Sequence, residues 1–237
     1  MQMQIPEFTL VGFLTVYVVQ GLVFAYFLFV GIRIIRRGAK RLNLILSGFF
    51  FSCSIGLFIN FIFVLIFEEI IVLILYYLTL FFIFLSPVFA LLFNMVLMNK
   101  IDIKDTKKQL SIILIYSIIV ICMVLIPRGV IINETTGWIP IWNPYLFFYL
   151  IVVVSCFTIF PSLYLSVLAY TRFTDTTLKS KFRFYIIGLC FIYFLMYSIM
   201  LSNFLDHPVV RNLIGLFGVI FSFIGGSLIY FGIGRIN

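Results

Sequence analysis

Long apolar runs separated by short polar segments form the dominant pattern of this 237-residue chain. About 20 apolar residues suffice for a helix to cross the hydrocarbon core of a bilayer, and seven runs reach or approach this length. The pattern therefore predicts an all-α, polytopic membrane protein in which one seven-transmembrane-helix bundle occupies residues 1–237. The predicted spans cover residues of about 8–32, 42–67, 70–98, 110–126, 145–170, 184–205 and 212–234.

The boundary between the second and third spans rests on two adjacent glutamates, Glu68 and Glu69. They are the only interruption in the apolar stretch from residue 42 to residue 98. A single helix of that length would extend about 85 Å, whereas the hydrocarbon core is about 30 Å thick. The chain is therefore expected to turn at the glutamates and cross the membrane twice.

The segment Pro127–Pro144 organises the remaining loops. Four apolar runs precede it and three follow it, and both tryptophans of the chain, Trp138 and Trp142, lie within it. Its single basic residue, Arg128, distinguishes it from the other long breaks, which carry clusters of basic residues. We expect this segment to lie outside the membrane on the extracellular side.

Composition supports a protein with no soluble domain. Apolar residues make up 64% of the chain, charged residues 10%, and the mean hydropathy is +1.26. The net charge of +8 does not indicate a nucleic-acid partner, because the basic residues cluster just beyond the ends of the spans. The four cysteines all fall inside apolar runs, so we expect reduced packing residues and no disulfides.

The distribution of basic residues predicts the orientation. Fourteen of the sixteen Lys and Arg residues would share one face, and only Arg128 and Arg211 would lie opposite. The positive-inside rule makes the fourteen-residue face cytoplasmic, which gives an outside N-terminus and a cytoplasmic C-terminus in the cell membrane. Asn133-Glu134-Thr135, an Asn-x-Thr acceptor for glycosylation, then lies outside.

No ionisable residue except cysteine and tyrosine lies well inside a predicted span. This pattern argues against a proton pump, a carrier built on buried carboxylates and a retinal Schiff base. Small and weakly polar residues instead recur at four-residue steps, as in Gly48, Ser52, Gly56 and Asn60. They favour close helix packing, although some of these faces could line a cavity, with Asn60 and Asn94 as the best candidates. Pro87 and Pro161 are expected to kink the third and fifth spans.

Catalytic motifs are absent from the sequence. The single histidine, His207, cannot build a zinc site or a Ser-His-Asp triad alone, and there is no HExxH, P-loop or Gly-x-Ser-x-Gly segment. We therefore expect no enzymatic activity, no metal and no cofactor.

Short motifs resemble the seven-helix N-terminal sensor region of membrane histidine kinases. They are Gly137-Trp138 with Pro140 in the Trp-containing loop, the segment DTTLKSKFRFYIIGL with Gly188, and the ending Gly226-Ser227-Leu228-Ile229-Tyr230-Phe231-Gly232. The chain lacks the phosphoacceptor helix and the ATP-binding domain of those kinases. The resemblance implies a stand-alone sensory module without an output domain of its own.

The functional prediction is a receptor-like, sensory membrane protein that recognises an extracellular or membrane-borne ligand and signals through a separate partner. Two alternatives remain open: a small-solute or lipid transporter, and a structural subunit of a membrane complex. The loop would act as a lid over the outer ends of spans 2, 3 and 6. The candidate ligand residues are Asn60, Trp138, Trp142, Tyr193, Tyr197, Asn203, Asp206 and His207.

The basic inner loops form the second candidate surface. They are expected to attract anionic membrane lipids and to contact a signalling partner. The residues assigned to this contact are Arg36, Arg37, Lys107, Lys108, Lys179, Lys181 and Arg183.

Overall fold

The computed structural model describes residue 18 and residues 20–38, 40–63 and 65–233. Within these residues the chain is almost entirely helical. A two-stranded antiparallel hairpin, β1 (Val130–Ile131) and β2 (Ile141–Trp142), interrupts the series of helices. The helices are α1 (Gly21–Arg36), α2 (Arg41–Phe63), α3 (Glu69–Leu97), α4 (Thr106–Ile121), α5 (Pro144–Arg172), α6 (Thr176–Leu205) and α7 (Pro208–Ile233).

Six of these helices, α2 to α7, are long and apolar enough to cross a membrane when α4 is taken with the 3₁₀ turn Cys122–Leu125 that extends it. The chain is therefore an all-α, multi-pass membrane protein. Most of the described part of the first predicted span lies in the 16-residue helix α1, which continues to Arg36. Residues 8–17 and 19 of that span lie outside the described residues.

The helices begin and end close to the predicted spans, with one large difference. Helix α3 lies within one residue of its prediction at each end, and the chain turns at residues 65–68 as expected. Helix α6, in contrast, starts at Thr176, eight residues before the predicted start at residue 184. The reason is local: the Asp175 side chain accepts hydrogen bonds from the backbone N–H groups of Thr177 (2.8 Å) and Leu178 (3.4 Å). This N-cap begins the helix outside the apolar run.

The helices form a ring around α3. Helix α1 packs on both α2 and α7, and α2 packs on α3. Helix α3 also contacts α4 and α5, while α6 packs against α5 and α7. The rings of Phe93 on α3 and Tyr185 on α6 lie 5.4 Å apart, so α3 reaches α6 as well. Helix α4 lies at the edge of the bundle, where most of its large apolar side chains are exposed to lipid.

Small residues form two close helix contacts. On α2, Gly48, Ser52 and Gly56 face α3, and the Ser52 hydroxyl donates to the backbone oxygen of Phe82 at 2.7 Å. A Cβ atom at Gly188 on α6 would come within 2.7 Å of the Gly225 carbonyl oxygen on α7. The four-residue pattern on α2 therefore marks a packing surface, as the first of its two interpretations predicted.

Polar contacts at one end of the bundle connect α2 and α4. Arg41 Nε donates to Gln109 Oε1 at 3.1 Å, and the Gln109 amide donates to the backbone oxygens of Asp102 and Ile103. Asp105 caps α4, and its pKa is held below the usual value by the backbone N–H of Lys108 and by the Lys108 side chain.

Thirteen basic residues of the described chain lie at or near this end of the bundle.

The contact between α6 and α7 predicts that Gly188→Ala is destabilising. The added methyl group would meet backbone atoms of α7 at 2.7 and 2.8 Å, and the helices would have to separate. We expect the free energy of unfolding in detergent to fall by about 1–3 kcal/mol, measured by thermal or denaturant unfolding. Gly218→Ala is the matched control, because its methyl group meets only the end of the Leu195 side chain, at 3.0 Å. Equal losses for both variants would contradict this account.

Candidate functional site

The loop between α4 and α5 has a defined structure. The Asn133 side chain accepts hydrogen bonds from the backbone N–H groups of Thr135 and Thr136, which starts a 3₁₀ turn, Glu134–Thr136. Gly137 and Trp138 follow in the left-handed region, with φ of 60° and 61°. These two residues reverse the chain, so that β2 can return beside β1. The turn presents one tryptophan on each side of Pro140.

Both tryptophans attach the loop to the bundle. Trp142 is 3% exposed, and its indole N–H donates to the Tyr76 hydroxyl on α3 at 2.8 Å. The ring of Trp138 meets that of Phe67, in the turn between α2 and α3, edge to face at 5.6 Å. At the start of α7, Arg211 Nη2 donates to the Pro140 carbonyl oxygen at 3.3 Å. Strand β2 also contacts α6, so the loop touches four separate parts of the helical bundle.

A buried polar cluster lies deeper, where α3, α5 and α6 meet. Asn94 Nδ2 donates to the backbone oxygen of Ser162 at 3.1 Å and to its hydroxyl oxygen at 3.0 Å. Tyr193 donates to the same Ser162 hydroxyl at 3.1 Å, and Tyr185 donates to Asn94 Oδ1 at 3.3 Å. All four side chains are almost fully buried. They provide partners for one another in a region without water, where an unpaired polar group is costly.

Helix α5 changes its hydrogen-bonding pattern beside this cluster. Residues Ser155–Ile159 form a π-helical turn, in which the backbone N–H of Phe160 donates to the Ser155 carbonyl oxygen, five residues earlier. Pro161 has no N–H to donate and would crowd the carbonyl of the residue four positions before it, so the wider turn accommodates the proline. The kink expected at Pro161 thus corresponds to a π turn. At Pro87, α3 continues as α-helix on both sides.

A continuous series of contacts runs from the loop to the π turn. The ring of Trp142 lies 6.3 Å from that of Phe84 on α3. The Tyr116 hydroxyl on α4 donates to the Phe84 carbonyl oxygen at 2.9 Å and lies 3.5 Å from the Thr158 hydroxyl oxygen. Thr158 is inside the π turn, as is Ser155, whose hydroxyl is hydrogen-bonded to Tyr197 on α6. The loop and the π turn are therefore physically connected.

Four of the eight predicted ligand residues lie in the loop or at the polar cluster, although Trp138 is not part of the contact series. Trp138 and Trp142 lie in the loop, and Tyr193 and Tyr197 lie at or next to the polar cluster. The other four are elsewhere. Asn60 donates to Gln20 beside α1, and Asn203 is half-buried in the last turns of α6.

The remaining two predicted ligand residues lie at the start of α7. Asp206 pairs with Arg211 at 3.3 Å, and His207 is exposed. The loop packs against the turn between α2 and α3 and against α3, and its strand β2 also contacts α6, as the predicted lid over spans 2, 3 and 6 requires. The contacts of the described residues therefore link Asp206 to the loop through Arg211, but they do not join all eight residues to one another.

The predicted ligand residues omit most members of the contact series and the polar cluster, among them Tyr76, Tyr116 and Ser162. The sequence named Asn94 as a candidate for lining a cavity, but in the structure its amide is paired with Ser162. The pairing of the two was not predictable, because nothing in the sequence places α3 against α5. Tyr76 and Tyr116 gave no signal, since tyrosine is common at the ends of membrane helices.

All seven predicted basic contact residues lie at the end of the bundle opposite the loop. They occupy the last turn of α1, the first turn of α4 and the first two turns of α6. Among the described residues, no group of three or more His, Cys, Asp or Glu side chains could hold a metal ion.

No protein-family model, curated protein or solved structure matches this chain. The resemblance to the sensor region of histidine kinases stays a prediction.

The hydrogen bond between Trp142 and Tyr76 predicts an energetic coupling that a double-mutant cycle can measure. Tyr76→Phe removes the acceptor and leaves the buried indole N–H unpaired, at a cost of about 1–3 kcal/mol. The double variant Tyr76→Phe/Trp142→Phe should be more stable than the sum of the single variants predicts, by about 0.5–2 kcal/mol. Unfolding in detergent gives the four values. Strictly additive losses would mean that the hydrogen bond contributes nothing to stability.

Proposed function

We propose that this chain is a receptor-like, sensory membrane protein that responds to a ligand from the loop side or from within the bilayer. The observation that carries the proposal is the continuous series of contacts from Trp142 through Phe84 and Tyr116 to the π turn of α5. A sensor needs such a physical connection, because a ligand must alter packing at a distance from where it binds.

The π turn is the proposed movable element. Conversion of a π turn to regular α-helix shifts the hydrogen-bond register by one residue and rotates one half of the helix by about 100° relative to the other. Such a rotation would redirect the loop-side half of α5, which begins directly after Trp142 and Asn143. It would also move Ser155 and Thr158 away from Tyr197 and Tyr116. A ligand drives this change only if it binds the two arrangements with different affinity.

The proposed topology has seven spans, with the N-terminus outside the cell membrane and the C-terminus in the cytoplasm. It is supported by the charge difference between the ends of the bundle. In the described chain thirteen basic residues lie at one end and two, Arg128 and Arg211, at the loop end. Positively charged segments remain on the cytoplasmic side during insertion, which makes the loop extracellular.

The output of the proposed sensor is a contact between its cytoplasmic end and a separate signalling partner. Lys179, Lys181 and Arg183 lie on the helical extension of α6 rather than on a loop. Phe182, on the same extension, is fully buried and packs against Phe173 and Tyr185. Movement of α6 would therefore carry these basic side chains with it, which gives the interior cluster a route to the proposed partner surface.

Cysteine labelling tests the topology. Thr136 lies in the loop between α4 and α5, and Lys107 lies in the first turn of α4. On a background with the four native cysteines replaced by alanine or serine, we expect an impermeant maleimide added to intact cells to modify Thr136→Cys and to spare Lys107→Cys. After permeabilisation both should react, which controls for accessibility. Modification of both sites in intact cells would contradict the proposed topology.

Hydrogen exchange tests the connection on which the sensor proposal depends. Trp142→Phe should accelerate exchange of the backbone amides of residues 155–162 by about threefold or more, because it removes the contact to Tyr76 and weakens the contact to Phe84. Trp138→Phe is the matched control, since its ring contacts Phe67 outside the series.

The readout is hydrogen–deuterium exchange mass spectrometry of full-length protein in detergent or nanodiscs. An unchanged rate at the π turn after Trp142→Phe would remove the support for coupling. A change of the same size in the Trp138→Phe variant would show a general loosening of the bundle. If the protein carried a substrate across liposome membranes, and Trp142→Phe left that flux unchanged, the transporter alternative would be favoured.

A further inference from the structure

A groove runs along the contact between α1 and α7, at the basic end of the bundle. It consists of two adjoining cavities of about 110 and 420 Å³ that share Phe29, Arg33 and Tyr230. Its floor is closed by Tyr26, whose hydroxyl donates to the Phe223 carbonyl oxygen at 3.0 Å and lies 2.7 Å from the Ser227 hydroxyl oxygen. We refer to this feature as the α1/α7 groove.

Three arginines surround the wider part of the α1/α7 groove: Arg33, Arg36 and Arg37. The guanidinium carbon of Arg37 lies 3.5 Å from the centre of the Tyr230 ring, and Nη1 of the same residue donates to the Tyr230 carbonyl oxygen at 3.3 Å. The guanidinium carbon of Arg33 lies 5.8 Å from the centre of the Tyr230 ring and 5.3 Å from the centre of the Phe29 ring. Both cations therefore lie over the ring of Tyr230.

These cations have no carboxylate partner in the part of the chain that the structure describes. The ion pairs found there join Lys108 to Asp105 and Arg211 to Asp206. Tyr230 occupies one N–H of Arg37, which leaves the other donors of that guanidinium available. A planar guanidinium binds phosphate oxygens in pairs, and it does so more strongly beside apolar surface, where water competes less.

The narrower part of the α1/α7 groove is apolar. Phe29 and Phe231 border it and are 55% and 64% exposed. A soluble phosphate compound would leave these rings uncovered. A molecule that carries a phosphate and hydrocarbon chains would satisfy both parts at once, with its headgroup near the arginines and its chains beside the rings.

We propose that the α1/α7 groove is a binding site for one anionic phospholipid. Its phosphate contacts the guanidinium groups of Arg33 and Arg37, with Arg36 at the rim, and an acyl chain lies along Phe29 and Phe231. Because the groove is formed by both helices, the bound lipid connects the first described helix to the last one. Anionic lipid then stabilises the closure of the ring between α1 and α7.

The experiment compares full-length protein in nanodiscs of phosphatidylcholine with and without phosphatidylglycerol. Phosphatidylglycerol should raise the midpoint of thermal unfolding, and native mass spectrometry of protein released from the mixed nanodiscs should show one retained phosphatidylglycerol. For Arg33→Gln/Arg37→Gln we expect the apparent affinity for this lipid to fall about tenfold or more, because two charge-assisted contacts are lost.

The matched control is Lys100→Gln/Lys104→Gln, which removes the same charge at the same end of the bundle but away from the α1/α7 groove. We expect its affinity for phosphatidylglycerol to fall no more than about threefold, through the general attraction of basic residues for anionic membranes. Arg33→Lys/Arg37→Lys keeps the positive charge, and with it the orientation in the membrane, but loses the planar donors. Its affinity for phosphatidylglycerol should therefore lie between those of the wild type and of Arg33→Gln/Arg37→Gln.

Three results would overturn the proposal. Wild-type protein with equal stability in both lipids would show that no such site exists, whatever the behaviour of the variants. If Arg33→Gln/Arg37→Gln and Lys100→Gln/Lys104→Gln lost equal affinity for phosphatidylglycerol, the effect would be general electrostatic attraction and not a specific site. A stability increase reproduced by inorganic phosphate in pure phosphatidylcholine nanodiscs would identify a soluble anion as the occupant.

Discussion

An unpaired polar group is costly inside the hydrocarbon, and this constraint governs how α3, α5 and α6 meet. Asn94 on α3 presents an amide with two donors and an acceptor, and Ser162 on α5 and Tyr185 on α6 satisfy it. Three helices are held in one relative position because any rotation of α3 would leave an amide unpaired. The apolar contacts around this cluster are numerous but less directional, so the polar cluster specifies the register.

Close backbone contacts complete the arrangement where hydrogen bonds are few. Two adjacent glycines on α7 allow close contact with two different helices. Gly225 lies against α6, and Gly226 leaves space for the ring of Tyr26 on α1. In a bilayer the lipid chains are as apolar as the side chains, so burial alone gives helices little reason to associate. Close approach increases the dispersion contacts, and α7 can pack on both sides because its side chains are smallest where the helices meet.

Much of the fold was predictable, because membrane insertion is governed by hydrophobic length. The bounds of α3, the turn at Glu68 and the packing surface of Gly48, Ser52 and Gly56 all follow from the sequence. The early start of α6 was missed because its first turns are polar, and a membrane span is recognised by apolar residues. The cap at Asp175 is a local signal, and it could have been read directly.

The candidate site was predictable only in part. The position of the loop and the importance of its tryptophans follow from composition, and the need of Asn94 for a partner follows from the cost of an unpaired amide. The hydrogen bond from Trp142 to Tyr76 depends on how a hairpin folds back over α3, which involves residues 66 positions apart. Asn60 illustrates the same limit: its partner is Gln20, near the start of α1, and no spacing within one helix identifies it.

The placement of the two tryptophans gives this protein a built-in optical reporter. Both residues lie in the loop, so the indole emission of the whole chain originates there. Trp142 is enclosed and hydrogen-bonded to a tyrosine, whereas Trp138 is partly open to solvent. An aqueous quencher such as iodide reaches Trp138 but not the enclosed Trp142, and so distinguishes the emission of the two residues. Displacement of the hairpin would expose the enclosed indole and shift its emission to the red, so that loop motion can be followed in unlabelled protein.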